Sequence, residues 1–99
     1  MSDQPLAPDE IRIRLAEVSD WKLTGHQIDR ELTFADFREA IAFLTLIAFD
    51  AEEADHHPDI TINYKRLGLV LTTHSAGGLT AKDFDLASVI DSHFERWAG

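Results

Sequence analysis

Three of the five histidines lie between Glu52 and His74, and they are the side chains best suited to chemistry. Glu52 is followed by the adjacent pair His56 and His57, then by Pro58, while His74 comes after the next apolar run. Imidazole has the unperturbed pKa closest to neutral pH, so it is the usual side chain for moving protons in water. The chain contains no cysteine. These residues predict a proton-transfer site, provided that the fold brings the histidines together.

Glu52 and His56 are four positions apart, so they share a face if the helix before Pro58 extends that far. A neighbouring carboxylate and a helix C-terminus both favour the imidazolium, which suits His56 to the role of general acid. His57 must point elsewhere, because adjacent side chains diverge. His74 is expected at the end of a strand, where it would close the site from the sheet.

Two other interpretations of these residues stay open on spacing alone. The histidines can be merely structural, or Asp55, His57 and His74 can be ligands of a metal ion. Adjacent histidines chelate poorly, however, and the HxxxH spacing that suits a helical metal site is absent. His26 and His93 lie outside the cluster and are interpreted as surface or packing residues.

Length and charge narrow the class of protein. The 99 residues predict a single domain, residues 1–99, with residues 1–7 as a loose N-terminal arm. The net charge of −9 opposes binding to nucleic acid or to anionic membranes, since both depend on Lys and Arg. The longest apolar run is about half the length of a membrane span, and the N-terminus does not resemble a signal peptide. A cytoplasmic protein is therefore expected.

The elements that must position the histidines follow from periodicity and turn residues. The prediction is helix 8–18, strands 21–23 and 26–33, a helix opened by a Thr33/Asp36 capping pattern, strands 60–65 and 67–74, and helix 80–97. This order, α-β-β-α-β-β-α, predicts an α+β two-layer sandwich, with a four-stranded antiparallel sheet and three helices on one face.

Three features of this prediction bear on the site. Arg30 interrupts the apolar side of its strand, which carries Ile28 and Leu32. The second helix is apolar around much of its circumference, which indicates burial against the sheet and against a partner subunit. Asp83 is explained by a helix cap with Thr80.

Taken together, these motifs resemble the pterin-4a-carbinolamine dehydratase family, also known as the dimerisation cofactor of a homeodomain transcription factor. The matching positions are Trp21, Glu52, His56-His57-Pro58, Tyr64, Thr73-His74, Gly78-Leu79-Thr80, Asp83 and Leu86–Asp91. The likeness covers roughly residues 6–97. It implies the same fold as the element order does.

The resemblance also implies an activity, the dehydration of 4a-hydroxytetrahydrobiopterin to the quinonoid dihydropterin. This hydro-lyase reaction recycles the cofactor of the aromatic amino acid hydroxylases. The pterin is the substrate, and neither a cofactor nor a metal is expected. By the match, His56 and His74 form the acid/base pair with either division of roles, His57 orients the substrate and Glu52 tunes His56.

The resemblance places further residues at the substrate or behind it. It implies a pterin pocket lined by Pro58, Thr73, Ser75 and Ala76 together with the histidines, and support from Asp83 and Trp21. Ser75 departs from the family pattern, in which some members carry an acidic residue after the histidine.

The expected partners are the small pterin and further copies of the chain. A homodimer or homotetramer is predicted from the resemblance and from the apolar surface of the second helix. The alternative function is a protein-binding or assembly module that uses this helix, with little or no catalysis. Direct contact with nucleic acid or membrane is not expected.

Overall fold

The chain folds into three helices and a four-stranded antiparallel sheet, in a computed structural model that describes residues 4–98. The elements are α1 (Pro8–Glu17), β1 (Lys22–Thr24), β2 (Gln27–Thr33), α2 (Phe37–Ala54), β3 (Asp59–Asn63), β4 (Arg66–Leu71) and α3 (Ala81–Ala98). A short 3₁₀ helix, His74–Ala76, connects β4 to α3. The predicted order and the α+β class are confirmed.

The helices pack on one face of the sheet, whose strand order is β1-β2-β4-β3. Alternate residues of β4, namely Leu67, Leu69 and Leu71, are almost fully buried under the helices. In the pairing of β2 with β4, Ile28 lies opposite Leu71 and Leu32 lies opposite Leu67. Burying each such side chain stabilises the fold by about 1.5–3 kcal/mol. The two central strands therefore carry much of the core on their helix-facing side.

Arg30 lies on the apolar side of β2, as its position in the sequence predicts. Its Nη1 lies 2.5 Å from Oδ1 of Asp91 on α3, and its guanidinium covers the ring of Phe94. The indole Nε1–H of Trp21 donates to the same Asp91 oxygen at 2.8 Å. The half-buried charge is thus paired, which lowers the cost of removing it from water.

The segment before α1 contacts the body of the domain. The N–H of Leu6 donates to the carbonyl of Leu79 at 2.8 Å. Arg14 on α1 forms an ion pair of 2.7 Å with Asp85 on α3. Of the predicted loose arm at residues 1–7, residues 1–3 lie outside the described part of the chain.

Helix α2 begins at Phe37 and is capped by Asp36, whose Oδ1 accepts the N–H of Glu39 at 2.9 Å. The predicted cap at Thr33 is wrong, because Thr33 pairs with Arg66 and continues β2. On α2, Phe43 and Ile47 are buried, whereas Phe37 and Phe49 are exposed. None of the helices in residues 4–98 has the length and apolar character that crossing a membrane requires.

Candidate active site

The end of α2 determines where the two adjacent histidines point. Asp55 takes the left-handed conformation, with φ 51° and ψ 44°, which aspartate tolerates better than most residues. Its N–H and that of His56 bond back to the carbonyl of Ala51, which closes the last turn of the helix. The chain therefore changes direction immediately before His56, and His56 does not continue the helical spiral.

His56 turns into the domain and pairs with Asp83. The residue is 9% exposed, and its Nε2 lies 2.6 Å from Oδ1 of Asp83, a side chain with no exposed surface. The predicted pairing of Glu52 with His56 is wrong. It assumed that α2 continued to His56, and the left-handed turn at Asp55 ends the helix first.

Asp83 is held from the other side by two threonines. Its Oδ2 accepts the hydroxyl of Thr73 at 2.8 Å and the backbone N–H of Thr80 at 2.9 Å. The predicted capping pattern of Thr80 and Asp83 at the start of α3 is therefore confirmed. With the bond from His56 the buried carboxylate has three partners, which is the condition for keeping a charge inside a protein.

His57 faces solvent and pairs with Glu52. Its Nε2 lies 2.7 Å from Oε1 of Glu52, and the two side chains are 56% and 78% exposed. An ion pair this exposed contributes about 0–1 kcal/mol, because water screens it. Pro58, next in the chain, is buried. The chain thus places His56 inside the domain and His57 at the surface.

His74 is exposed at the start of the 3₁₀ helix that follows β4. The preceding residue, Thr73, is buried and bonded to Asp83, so the backbone of His74 is anchored beside the His56–Asp83 pair. Gly77, with φ 74°, ends the short helix in the left-handed conformation that favours glycine. Ser75 is exposed and Ala76 is half-buried on the same turn.

Apolar surface adjoins the exposed pair. A groove of about 110 Å³ runs between α2 and β3, and Glu52, His57 and Pro58 contribute to its wall. Its other lining residues are apolar, namely Ile47, Ala48, Ala51 and Ile60. A larger cavity of about 400 Å³, bordered by Asp50, Lys82 and Val89 among others, has no histidine in its wall. The smaller groove is therefore the better candidate for a ligand-binding surface.

The other predicted residues separate into two groups. Trp21, proposed as site support, bonds to Asp91 and so belongs to the cluster around Arg30. His93, interpreted as a packing residue, lies 2.9 Å from Oδ2 of Asp50 and links α3 to α2. In the described range 4–98, no three His, Cys, Asp or Glu side chains are grouped so that they could hold a metal ion.

Spacing explains Asp83 and Thr80 only as a helix cap, whereas the resemblance implies that Asp83 supports the site. Asp83 is the direct partner of His56, and the hydroxyl of Thr80 lies 2.9 Å from that of Thr73. A signal was present, since this capping pattern follows His74 by only a short loop. A carboxylate at the start of a helix can serve a nearby imidazole as well as the helix.

The fold and site define a small α+β sandwich whose adjacent histidines face two different carboxylates. Comparison with known proteins identifies its family, because the model for "Pterin 4 alpha carbinolamine dehydratase" matches residues 4–93. The chain belongs to this family.

Relatives and solved structures agree with this assignment. A protein of Chloroflexus aurantiacus named "Putative pterin-4-alpha-carbinolamine dehydratase" is 55% identical over 87% of this chain and 92% of its own. One with the same name in Acidobacterium capsulatum is 49% identical over 88% and 95%. The crystal structure of a "transcriptional coactivator/pterin dehydratase" from Brucella melitensis superimposes with a TM-score of 0.86 at 31% identity, covering 90% of this chain and 97% of that one.

A more distant structure shares the fold alone. A "pterin dehydratase-like protein" described as a RuBisCO assembly factor in the alpha-carboxysome superimposes with a TM-score of 0.59 at 19% identity. It covers 73% of this chain and 83% of that one.

Proposed function

We propose that this protein dehydrates 4a-hydroxytetrahydrobiopterin to the quinonoid dihydropterin by histidine acid/base catalysis. The observation that carries the proposal is the buried pair of His56 and Asp83, with its nitrogen and oxygen 2.6 Å apart. A carboxylate that fixes one nitrogen of an imidazole leaves the other for proton transfer, which is a recurring arrangement in acid/base catalysis. Membership of the pterin dehydratase family supports the choice of substrate.

The proposed reaction transfers two protons and involves no net oxidation or reduction. One proton is given to the hydroxyl oxygen on C4a, and the C4a–O bond breaks as water leaves. The other proton leaves N5, and its electron pair forms the double bond between N5 and C4a. His56 and His74 are the proposed acid and base, because one is fixed by Asp83 and the other is exposed on the turn that Thr73 anchors.

The remaining predicted residues bind substrate in this proposal. His57, Pro58 and the adjoining groove offer a polar group beside apolar surface, which suits a flat heterocycle. Ser75 and Ala76 lie on the turn with His74, outside the wall of this groove, and we expect them to contact the substrate from that turn. Glu52 orients His57, with which it pairs in place of His56. The pterin is the substrate, and no further cofactor is required.

The proposal is tested by following the decay of freshly generated 4a-hydroxytetrahydropterin. We expect the parent protein to accelerate the decay over buffer, and His56→Gln and His74→Gln each to lose roughly a hundredfold or more of that acceleration. His26→Gln, which removes an exposed histidine outside the site, is the matched control and should keep the parental rate. A parent protein no faster than buffer would refute the dehydratase function.

A second function, binding another protein through α2, is favoured by one observation. Phe37, Ile41 and Phe49 on this helix are exposed, with Phe49 at 72%. Exposed apolar groups on one element are typical of contact surfaces. The Brucella protein described as a coactivator is consistent with such a role. A partner that copurifies equally with the parent and with a variant lacking His56, His57 and His74 would support it.

The same exposed groups support self-association, which stays a prediction. We expect a homodimer or homotetramer formed through α2 and a sheet edge, where β1 and β3 leave backbone groups unpaired. Sedimentation of the parent and of Phe49→Glu measures it. The variant should dissociate at concentrations at which the parent remains assembled, and identical sedimentation of both would remove Phe49 from the interface.

A further inference from the structure

Asp83 lies at the end of a chain of hydrogen bonds that starts at the first turn of α3. The backbone N–H of Lys82 donates to Oγ1 of Thr80 at 3.3 Å. The hydroxyls of Thr80 and Thr73 lie 2.9 Å apart, and the hydroxyl of Thr73 lies 2.8 Å from Oδ2 of Asp83. We call these groups the threonine chain. On its other oxygen, Asp83 meets Nε2 of His56.

The hydrogen-bond donors of the threonine chain must all point towards Asp83. An ionised carboxylate only accepts hydrogen bonds, so Thr73 donates its single hydroxyl hydrogen to Asp83. The hydroxyl of Thr80 must then be the donor in its contact with Thr73, while its oxygen accepts the N–H of Lys82. Hydrogen bonds aligned in this way polarise and strengthen one another.

This alignment fixes the proton on the ring of His56. Oδ2 of Asp83 accepts the hydroxyl of Thr73 and the N–H of Thr80. Oδ1 is then also an acceptor, so Nε2 of His56 must carry the hydrogen of the 2.6 Å bond. A neutral imidazole has only one N–H, and Nδ1 is therefore left with a lone pair.

Nδ1 is also the ring nitrogen that Asp83 leaves unoccupied. Nε2 meets Asp83, and no hydrogen bond to Nδ1 of His56 is present among the described residues. Across residues 4–98, no buried side-chain nitrogen or oxygen lacks a hydrogen-bond partner. Nδ1 therefore keeps some exposed surface, although His56 as a whole is buried.

We infer that His56 exchanges protons with the substrate through Nδ1, and that Thr73 and Thr80 are positioning residues that hold Asp83 in the orientation this requires. The part of the inference that concerns catalysis rests on the proposed function. The part that concerns the ring proton does not, because it is a property of the free protein. Thr73, predicted to line the pterin pocket, is accordingly assigned to the support behind His56.

The ring proton is tested by NMR on protein labelled with ¹⁵N-histidine, at a pH where His56 is neutral. In the parent, Nε2 should carry the hydrogen and Nδ1 should be bare. In Asp83→Asn the amide oxygen must take the place of Oδ2, because Thr73 and Thr80 both need an acceptor there. The NH₂ group then faces Nε2 of His56, and the hydrogen should move to Nδ1.

The positioning role is tested by comparing Thr73→Val with Thr73→Ser in the decay assay. Valine removes the hydroxyl at nearly constant shape, and we expect kcat to fall about tenfold with KM within about twofold. Serine keeps the hydroxyl and should restore most of the rate. The matched control is Thr45→Val, which removes a hydroxyl bonded to Ile41 on the surface of α2 and should leave kcat unchanged.

The possible outcomes test the ring proton of His56 and the positioning role of Thr73 separately. A hydrogen on Nδ1 of His56 in the neutral parent overturns the inference whether or not the protein is active, and this measurement needs no variant. A Thr73→Val protein with parental kcat, or one in which only KM changes, overturns the positioning role. If Thr73→Val does not fold, Thr80→Val replaces it, with an expected loss of about threefold in kcat. A parent inactive on the pterin refutes the proposed function and leaves the NMR result to decide the proton's position.

Discussion

Two neighbouring histidines face two carboxylates across nearly equal distances, 2.6 Å for His56 and Asp83 and 2.7 Å for His57 and Glu52. The surroundings of the two pairs differ. The first pair is buried and its carboxylate has two further donors, whereas the second is exposed on both sides. Contacts of similar length therefore contribute different free energies in the two pairs, because water screens the exposed pair and competes for its hydrogen bonds.

One short segment can therefore supply two kinds of functional group. A buried, fully bonded pair holds its imidazole in one orientation with one nitrogen committed, which suits proton transfer. An exposed pair can rearrange around a ligand at little cost, which suits binding. The left-handed residue Asp55 produces the division, since it sends His56 inward and leaves His57 at the surface.

The largest expected effect is on stability. Asp83→Ala leaves His56, Thr73 and the N–H of Thr80 without their acceptor. We expect the free energy of unfolding to fall by about 3 kcal/mol. Glu52→Ala is the matched control at the exposed pair and should cost about 0.5 kcal/mol or less. Urea unfolding measures both, and equal losses would show that burial does not distinguish the two pairs.

The next largest expected effect is the difference in kinetics between variants of His56 and of His57. His56→Gln should lower kcat by roughly a hundredfold or more, as expected on removing a proton-transfer group. His57→Gln should act chiefly on KM, raising it about tenfold, because a binding group contributes equally to the ground and transition states. Steady-state kinetics with the pterin measure both effects. If the two variants have exchanged effects, the exposed histidine is the one that moves the proton.

A smaller effect is expected from Glu52→Gln. The carboxylate holds His57 only through an exposed contact, so KM should rise by about threefold or less at low ionic strength. Raising the salt to about 0.5 M should bring the parent and the variant closer together, because the Debye length becomes short. A difference in KM that persists at high salt would indicate a direct bond from Glu52 to the substrate.

The smallest effect is expected from Asp55→Gly. Glycine adopts the left-handed conformation of this residue without strain, so kcat should stay within about twofold of the parent. Asp55→Val is the contrasting variant, because a β-branched residue is strained there and should cost about 1–2 kcal/mol of unfolding free energy. Thermal unfolding of the two variants tests this, and equal midpoints would show that a β-branched residue is not strained at position 55.

The fold could be predicted because its signals are local. The alternation of Leu67, Leu69 and Leu71, and the capping pair Thr80 and Asp83, are each contained in a few residues. The start of α2 was misplaced because Thr33 and Asp36 are both acceptable caps. Only the pairing of Thr33 with Arg66 across the sheet decides between them, and that contact is not local.

The partners of the histidines could not be predicted for the same reason. Glu52 and His56 have helical spacing, so local reasoning pairs them. The observed partner of His56 is 27 positions away and becomes available only once α3 has packed beside α2. The left-handed conformation of Asp55 is likewise a choice that aspartate permits but does not enforce. The residue types were visible in the sequence, whereas their pairing depends on packing.

The most direct measurement compares Asp83→Asn with Glu52→Gln in the decay of 4a-hydroxytetrahydropterin at saturating substrate. Each substitution replaces one carboxylate by its amide, in one variant at the buried pair and in the other at the exposed pair. We predict that Asp83→Asn lowers kcat by about a hundredfold or more, whereas Glu52→Gln stays within about threefold of the parent. Equal losses in the two variants would contradict the assignment of proton transfer to the buried pair.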